Sequence, residues 1–110
     1  MNEREPNESY QPSENEVNSL DLFHDGQNAA LHGDLETARD KIEQSLAIAK
    51  SGDDAEWTAY LEGTIAYFTG DLAGLTSCIG NAGDNDQVLS RLAQGLKLRG
   101  TPDYKEDYGG

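Results

Sequence analysis

Few side chains in this sequence have the types and spacings that do chemistry. His24 and His32 stand eight positions apart, about two helical turns, and so could share a face. A helical zinc site wants its histidines four apart, and no Cys or His cluster completes a ligand set, so no metal site is expected. Cys78 is the single cysteine, which excludes an internal disulfide; within an apolar helical pattern it reads as a small hydrophobe rather than a nucleophile. Glu36, Arg39, Asp40, Lys41 and Glu43 alternate in sign, with Arg39 and Glu43 at i, i+4, which describes a solvated helix face rather than an acid–base pair. With no glycine-rich phosphate loop, nucleophile motif or convergent His and carboxylate set, the expectation is a chain that is not an enzyme and carries no cofactor. What remains is aromatic. Trp57, Tyr60, Tyr67 and Phe68 fall in one short stretch, and Trp and Tyr are enriched at binding hot spots.

Composition narrows the partners. The 110 residues fit one domain, and 35% hydrophobic content allows only a modest core. Eight Lys and Arg against 21 Asp and Glu give a formal charge of −13, which opposes phosphate backbones and anionic membranes. Neither direct nucleic-acid binding nor membrane association is expected. With no apolar N-terminal run to serve as a signal or span, the cytoplasm is the default location.

The elements that must position the aromatic residues follow from the apolar periodicity. Residues 1–18 are acidic, rich in Asn and poor in apolar side chains, and are expected to be a disordered arm. From Ser19, a candidate cap, Leu20, Phe23, Ala30 and Leu31 mark a helix running to about His32. Gly33 ends it and Asp34 restarts the chain as the cap of a second helix, with Leu35, Ala38, Ile42, Leu46 and Ala49 on one face. Ser51-Gly52-Asp53-Asp54 is a further stop and cap before a third helix, the most aromatic one, from Ala55. Gly70-Asp71 repeats the break, and a short fourth helix carries Leu72, Leu75, Cys78 and Ile79, weakened by Gly74 and Gly80. Val88, Leu89, Leu92, Ala93 and Leu96 define a fifth helix that ends near Arg99-Gly100 and is suited to cap the stack. The helical domain thus spans 19–99, and residues 100–110, with Tyr104 and Tyr108 isolated among charges, are expected to be a flexible tail.

Gly33-Asp34-Leu35 and Gly70-Asp71-Leu72 lie 37 residues apart, and Gly26 with Gly63 and Ile42 with Ile79 keep the same interval. Such a period marks stacked supersecondary units. On Gly26, Gly33, Asp34, Ala38, Ile42 and Leu46, and on Gly63, Tyr67, Gly70, Asp71 and Ile79, the chain resembles the tetratricopeptide repeat family over residues 19 to 90. The resemblance implies an all-α array of antiparallel helical hairpins, two repeats plus a capping helix. It also implies that the first helix of each unit lines a concave groove, at Leu20, Phe23, Gln27, Ala30 and Leu31, then Trp57, Tyr60, Thr64, Tyr67 and Phe68.

The function expected from that groove is protein–protein interaction, as an adaptor, chaperone or scaffold binding a protein or peptide. Net charge favours a basic or apolar-helical ligand. Family members that grip a C-terminal carboxylate use Lys, Arg and Asn there, and the corresponding positions lack Lys and Arg. Alternatively the aromatic side chains fill the core or pack on the fifth helix or on a second copy, as a homo-oligomer. Two further classes remain open: an acidic inhibitor mimicking nucleic acid, and a protein whose Gly109-Gly110 end is activated or processed by a partner enzyme.

Overall fold

The computed structural model describes residues 14–52 and 54–109, with side chains described over 19–52 and 54–108. The described residues are all-α. Six helices follow one another: α1 (Glu14–Leu31), α2 (Leu35–Ala49), α3 (Ala55–Phe68), α4 (Leu72–Cys78), α5 (Asp86–Arg99) and α6 (Tyr104–Gly109), with one 3-10 turn at Gly83–Asn85 before α5.

The two Gly-Asp turns are built alike. Gly33 and Gly70 sit at φ of 86° and 76°, in the left-handed region where a Cβ is strained. Each places its own N–H on the carbonyl three residues back, Ala30 or Tyr67. The next N–H, of Asp34 or Asp71, then reaches five residues back to Ala29 or Ala66, at 2.9 and 2.8 Å. This pairing satisfies the orphan carbonyls at a helix end. Asp34 and Asp71 then turn their carboxylates onto the N–H groups of Thr37 and Gly74, at 3.2 and 2.9 Å, and cap α2 and α4. The Thr37 bonds hold the Asp34 carboxyl below its ordinary pKa. Asp54 caps α3 in the same way through the Trp57 N–H, at 2.9 Å.

Glycine also sets how closely the helices approach. A Cβ on Gly26 would stand 2.6 Å from Ile42 Cγ1, and one on Gly63 would stand 2.9 Å from Leu89, so α1 lies against α2 and α3 against α5 at these two points. Ile42, Leu61, Tyr67, Leu75, Leu89 and Leu92 are fully buried around them. The second unit is not a copy of the first. α4 has 7 residues where α2 has 15; it stops at Cys78, leaving Ile79 extended ahead of Gly80. The Cys78 thiol is half-buried, and burial raises its pKa. Arg39 and Glu43 form a solvated i, i+4 pair at 3.8 Å.

Three boundaries differ from those read in the sequence. α1 begins at Glu14, within the stretch expected to be disordered; the remainder of that arm, residues 1–13, lies outside the described residues. Ser19 is therefore not a cap. It lies within α1, buried to 1%, where its Oγ and Ser45 Oγ are 2.8 Å apart, Ser45 Oγ donates to the Ser19 carbonyl, and Trp57 Nε1 donates to Ser19 Oγ at 2.8 Å. This small polar knot ties α1, α2 and α3. The third difference decides the site: beyond Gly100 the chain folds back as α6 instead of trailing away, with the Tyr104 side chain 1% exposed.

Candidate functional site

α6 is six residues long, too short to be helical on its own propensity. Its order comes from what it touches. Asp103 caps it through the Glu106 N–H at 3.2 Å, and Tyr104, Asp107 and Tyr108, at i, i+3 and i+4, fall on one face. That face lies on side chains from α1, α3 and α5.

Tyr104 is the central contact. Its ring centroid lies 6.2 Å from that of Tyr67 and 5.6 Å from that of Phe68, both tilted, and Tyr108 stacks on its outer side at 4.9 Å with the rings nearly parallel. Such offset and tilted pairs suit the ring quadrupoles. Gln27 Nε2 on α1 donates to the Tyr104 hydroxyl at 2.9 Å. Burial chiefly drives the pKa of Tyr60 and of Tyr104 well above the ordinary tyrosine range; Tyr108 adds to both, while the bonds from Gln27 and Tyr60 pull Tyr104 partly back.

Asp107 is the second anchor, its side chain only 5% exposed. Arg99, at the end of α5, grips it with both arms, Nη2 to Oδ1 at 2.5 Å and Nη1 to Oδ2 at 2.9 Å. The Tyr67 hydroxyl donates to Oδ2 at 2.6 Å and accepts the Asp103 backbone N–H at 2.6 Å. Burial, then the bond to Asp107, keeps the Tyr67 hydroxyl protonated far above its usual range. The carboxylate rests where Gly95 leaves room on α5; any Cβ at Gly95 would collide with it. An ion pair with bidentate geometry and a third donor is the well-satisfied kind that can persist out of water.

The residues read as a groove are thus brought together, but not as an open aromatic surface. Phe23, Tyr60, Thr64, Tyr67 and Phe68 are buried, at 4%, 4%, 0%, 0% and 7% exposure. The reason is the misread tail: α6 brings Tyr104 onto the far part of the row, and Phe23 packs edge-on to Trp57 at 5.1 Å and against Tyr60 at 5.2 Å in the near part. The Thr64 hydroxyl turns inward to the Tyr60 carbonyl, at 2.8 Å. Ala30 is buried, and Leu31 and Trp57 are partly buried. Leu20 is 44% exposed. Gly109 closes α6, and Gly110 lies outside the described residues.

Gly95, Arg99, Tyr104 and Asp107 were not anticipated. The available signal was the i, i+4 spacing of Tyr104 and Tyr108 behind Pro102-Asp103, a helix start with one aromatic face. The cation missing from the groove helices is supplied by the fifth helix.

The arrangement is suited to holding a segment rather than to proton transfer. Its carboxylate is committed to Arg99 and Tyr67, and Tyr60, Tyr67 and Tyr104 stay neutral. His24 and His32 are exposed, with His32 Nδ1 2.7 Å from the Asn28 carbonyl. Among the described residues no three His, Cys, Asp or Glu side chains are grouped to hold a metal ion, and no helix is long and apolar enough to cross a membrane. Comparison of the chain with protein-family models, with curated proteins and with solved structures found no match.

Proposed function

We propose that this chain is a non-catalytic, tetratricopeptide-like interaction module, an adaptor or scaffold, that binds a protein or peptide segment on the face shared by α1, α3 and α5. One observation carries this reading. Side chains from three separate helices, Gln27, Tyr67 with Phe68, and Arg99, converge on a short segment that could not be helical alone. A surface that orders a six-residue segment through aromatic contacts, a side-chain amide and a bidentate guanidinium has the parts of a peptide-recognition site. The matching turns at Gly33-Asp34 and Gly70-Asp71 and the close approaches at Gly26 and Gly63 support the repeat character.

The test uses the full chain with Tyr104→Ala and Asp107→Ala together, which frees the face while keeping every receptor group. Peptides are selected on it from a displayed random library, and binders are mapped by amide NMR. Binders that move the signals of Gln27, Thr64, Tyr67 and Arg99 are expected. A selection whose binders all map elsewhere, or that yields none, contradicts the reading.

A further inference from the structure

Within that reading, and resting on it, we propose a ligand class and a regulation: the groove takes, in trans, helical segments bearing a tyrosine followed three positions later by an aspartate, and α6 is the competitor in cis for the same seat.

The tyrosine and the aspartate of α6 are each met by groups on other helices. Tyr67 and Phe68 take the tyrosine ring, Gln27 its hydroxyl, and Arg99 with Tyr67 the carboxylate, while Gly95 provides the space in which that carboxylate sits. The Tyr67 hydroxyl also takes a backbone N–H, that of Asp103, at the entry to the helix. None of these receptor groups belongs to α6, so a separate chain presenting tyrosine and aspartate on one helical face meets the same partners. Phenylalanine in place of the tyrosine would leave Gln27 Nε2 without its acceptor.

Charge decides which partner this is. The chain carries −13 overall, yet the seat beside Asp107 and Glu106 is lined by Arg91 and Arg99. The ligand segment is therefore acidic, while the protein that presents it is neutral or basic elsewhere. This proposed ligand differs from the basic or apolar-helical one that net charge favours. A second copy would bring a further −13, and this repulsion disfavours exchange of α6 between two chains.

The connection from Gly100 to Asp103 tethers α6 next to its seat, with Gly100 at φ 85°. A short tether gives an effective concentration on the order of millimolar, so a free segment of the same chemistry binds weakly until α6 leaves. Release of α6 thereby sets the affinity for the partner.

A fluorescently labelled peptide with the sequence of residues 101–109 tests this by anisotropy. It is titrated with the full wild-type chain and with the full Tyr104→Ala/Asp107→Ala chain, whose fold is checked by circular dichroism. The expected result is binding to the double variant at least about tenfold tighter than to wild type, lost when Arg99→Ala or Gly95→Ala is added. If the double variant does not fold, isotope-labelled wild type is given excess unlabelled peptide; the Tyr104 and Asp107 amide signals should then move towards those of the free segment. A folded double variant that ignores the peptide, or wild-type signals that stay fixed at saturating peptide, overturns the ligand class. Should library peptides of other chemistry occupy the same residues, the binding-module reading survives and this proposal alone fails. Concentration-dependent dimerisation of wild type with α6 exchanged also overturns it, in favour of a second copy.

Discussion

Gln27 Nε2 donates to the Tyr104 hydroxyl at 2.9 Å and so joins the first helix to the last across 77 residues of sequence. Replacing Gln27 with Leu keeps the bulk and removes one of the partners of the buried Tyr104 hydroxyl, which keeps Tyr60, at a cost of about 1 kcal/mol. The loss should be confined to α6. Hydrogen exchange is expected to speed up at Tyr104 to Tyr108 while Ile42 and Leu61 keep their protection, and equal loss in all three regions would contradict a local role.

Gly95→Ala sets two effects against each other. Alanine is favoured over glycine inside a helix by about 1 kcal/mol. Its Cβ would occupy the seat of the Asp107 carboxylate. α5 should therefore gain helical stability while α6 undocks, seen as lost amide protection and weaker near-ultraviolet tyrosine dichroism with little fall in the thermal midpoint. Unchanged α6 protection would show that the close approach does not matter.

How much of this was legible follows from the kind of signal involved. The Gly33-Asp34 and Gly70-Asp71 turns are local chemistry, a left-handed glycine followed by a capping carboxylate, and sequence alone reveals them. The Gly26 and Gly63 approaches were visible through the interval between them. α6 was not, because Tyr104 and Tyr108 stand among Lys105, Glu106 and Asp107 and show no apolar run; only the surface it meets makes it a helix. Ser19 was misread for a related reason. A serine ahead of an apolar pattern is an ordinary cap signal, and its burial against Ser45 and Trp57 depends on contacts 26 and 38 residues away.

That polar knot makes its own prediction. Ser45→Ala removes the donor to the Ser19 carbonyl and one partner of Ser19 Oγ, both buried, for about 1–3 kcal/mol by urea denaturation. The double variant Ser19→Ala/Ser45→Ala should cost less than the sum of the two single changes, since the contact between the two hydroxyls can be lost only once. Additive costs would mean that the two hydroxyls act independently.

Alkaline pH acts on the tyrosines, and the sign follows from proton binding. Tyr60, Tyr67 and Tyr104 all have pKa values raised above their ordinary 10.0 by burial. Above that value an unfolded chain has lost protons that the native chain still holds. The contribution of these tyrosines to stability is therefore level up to about pH 10 and then falls, by at most about 1.4 kcal/mol per pH unit for each one. Tyrosinate absorbance should rise together with the loss of helical dichroism. If all the tyrosines titrate smoothly near their ordinary value while the helices persist, the buried cluster is not as described.

The face of α1, α3 and α5 is proposed to recognise a tyrosine- and aspartate-bearing helical segment. The most direct test is isotope-filtered NMR of the unlabelled 101–109 peptide on the labelled Tyr104→Ala/Asp107→Ala chain. Intermolecular nuclear Overhauser contacts are expected from the peptide's first tyrosine ring to Phe68 and Gln27, with a shifted Arg99 side-chain signal. Contacts to other surfaces, or none from a peptide shown to be bound, would contradict it.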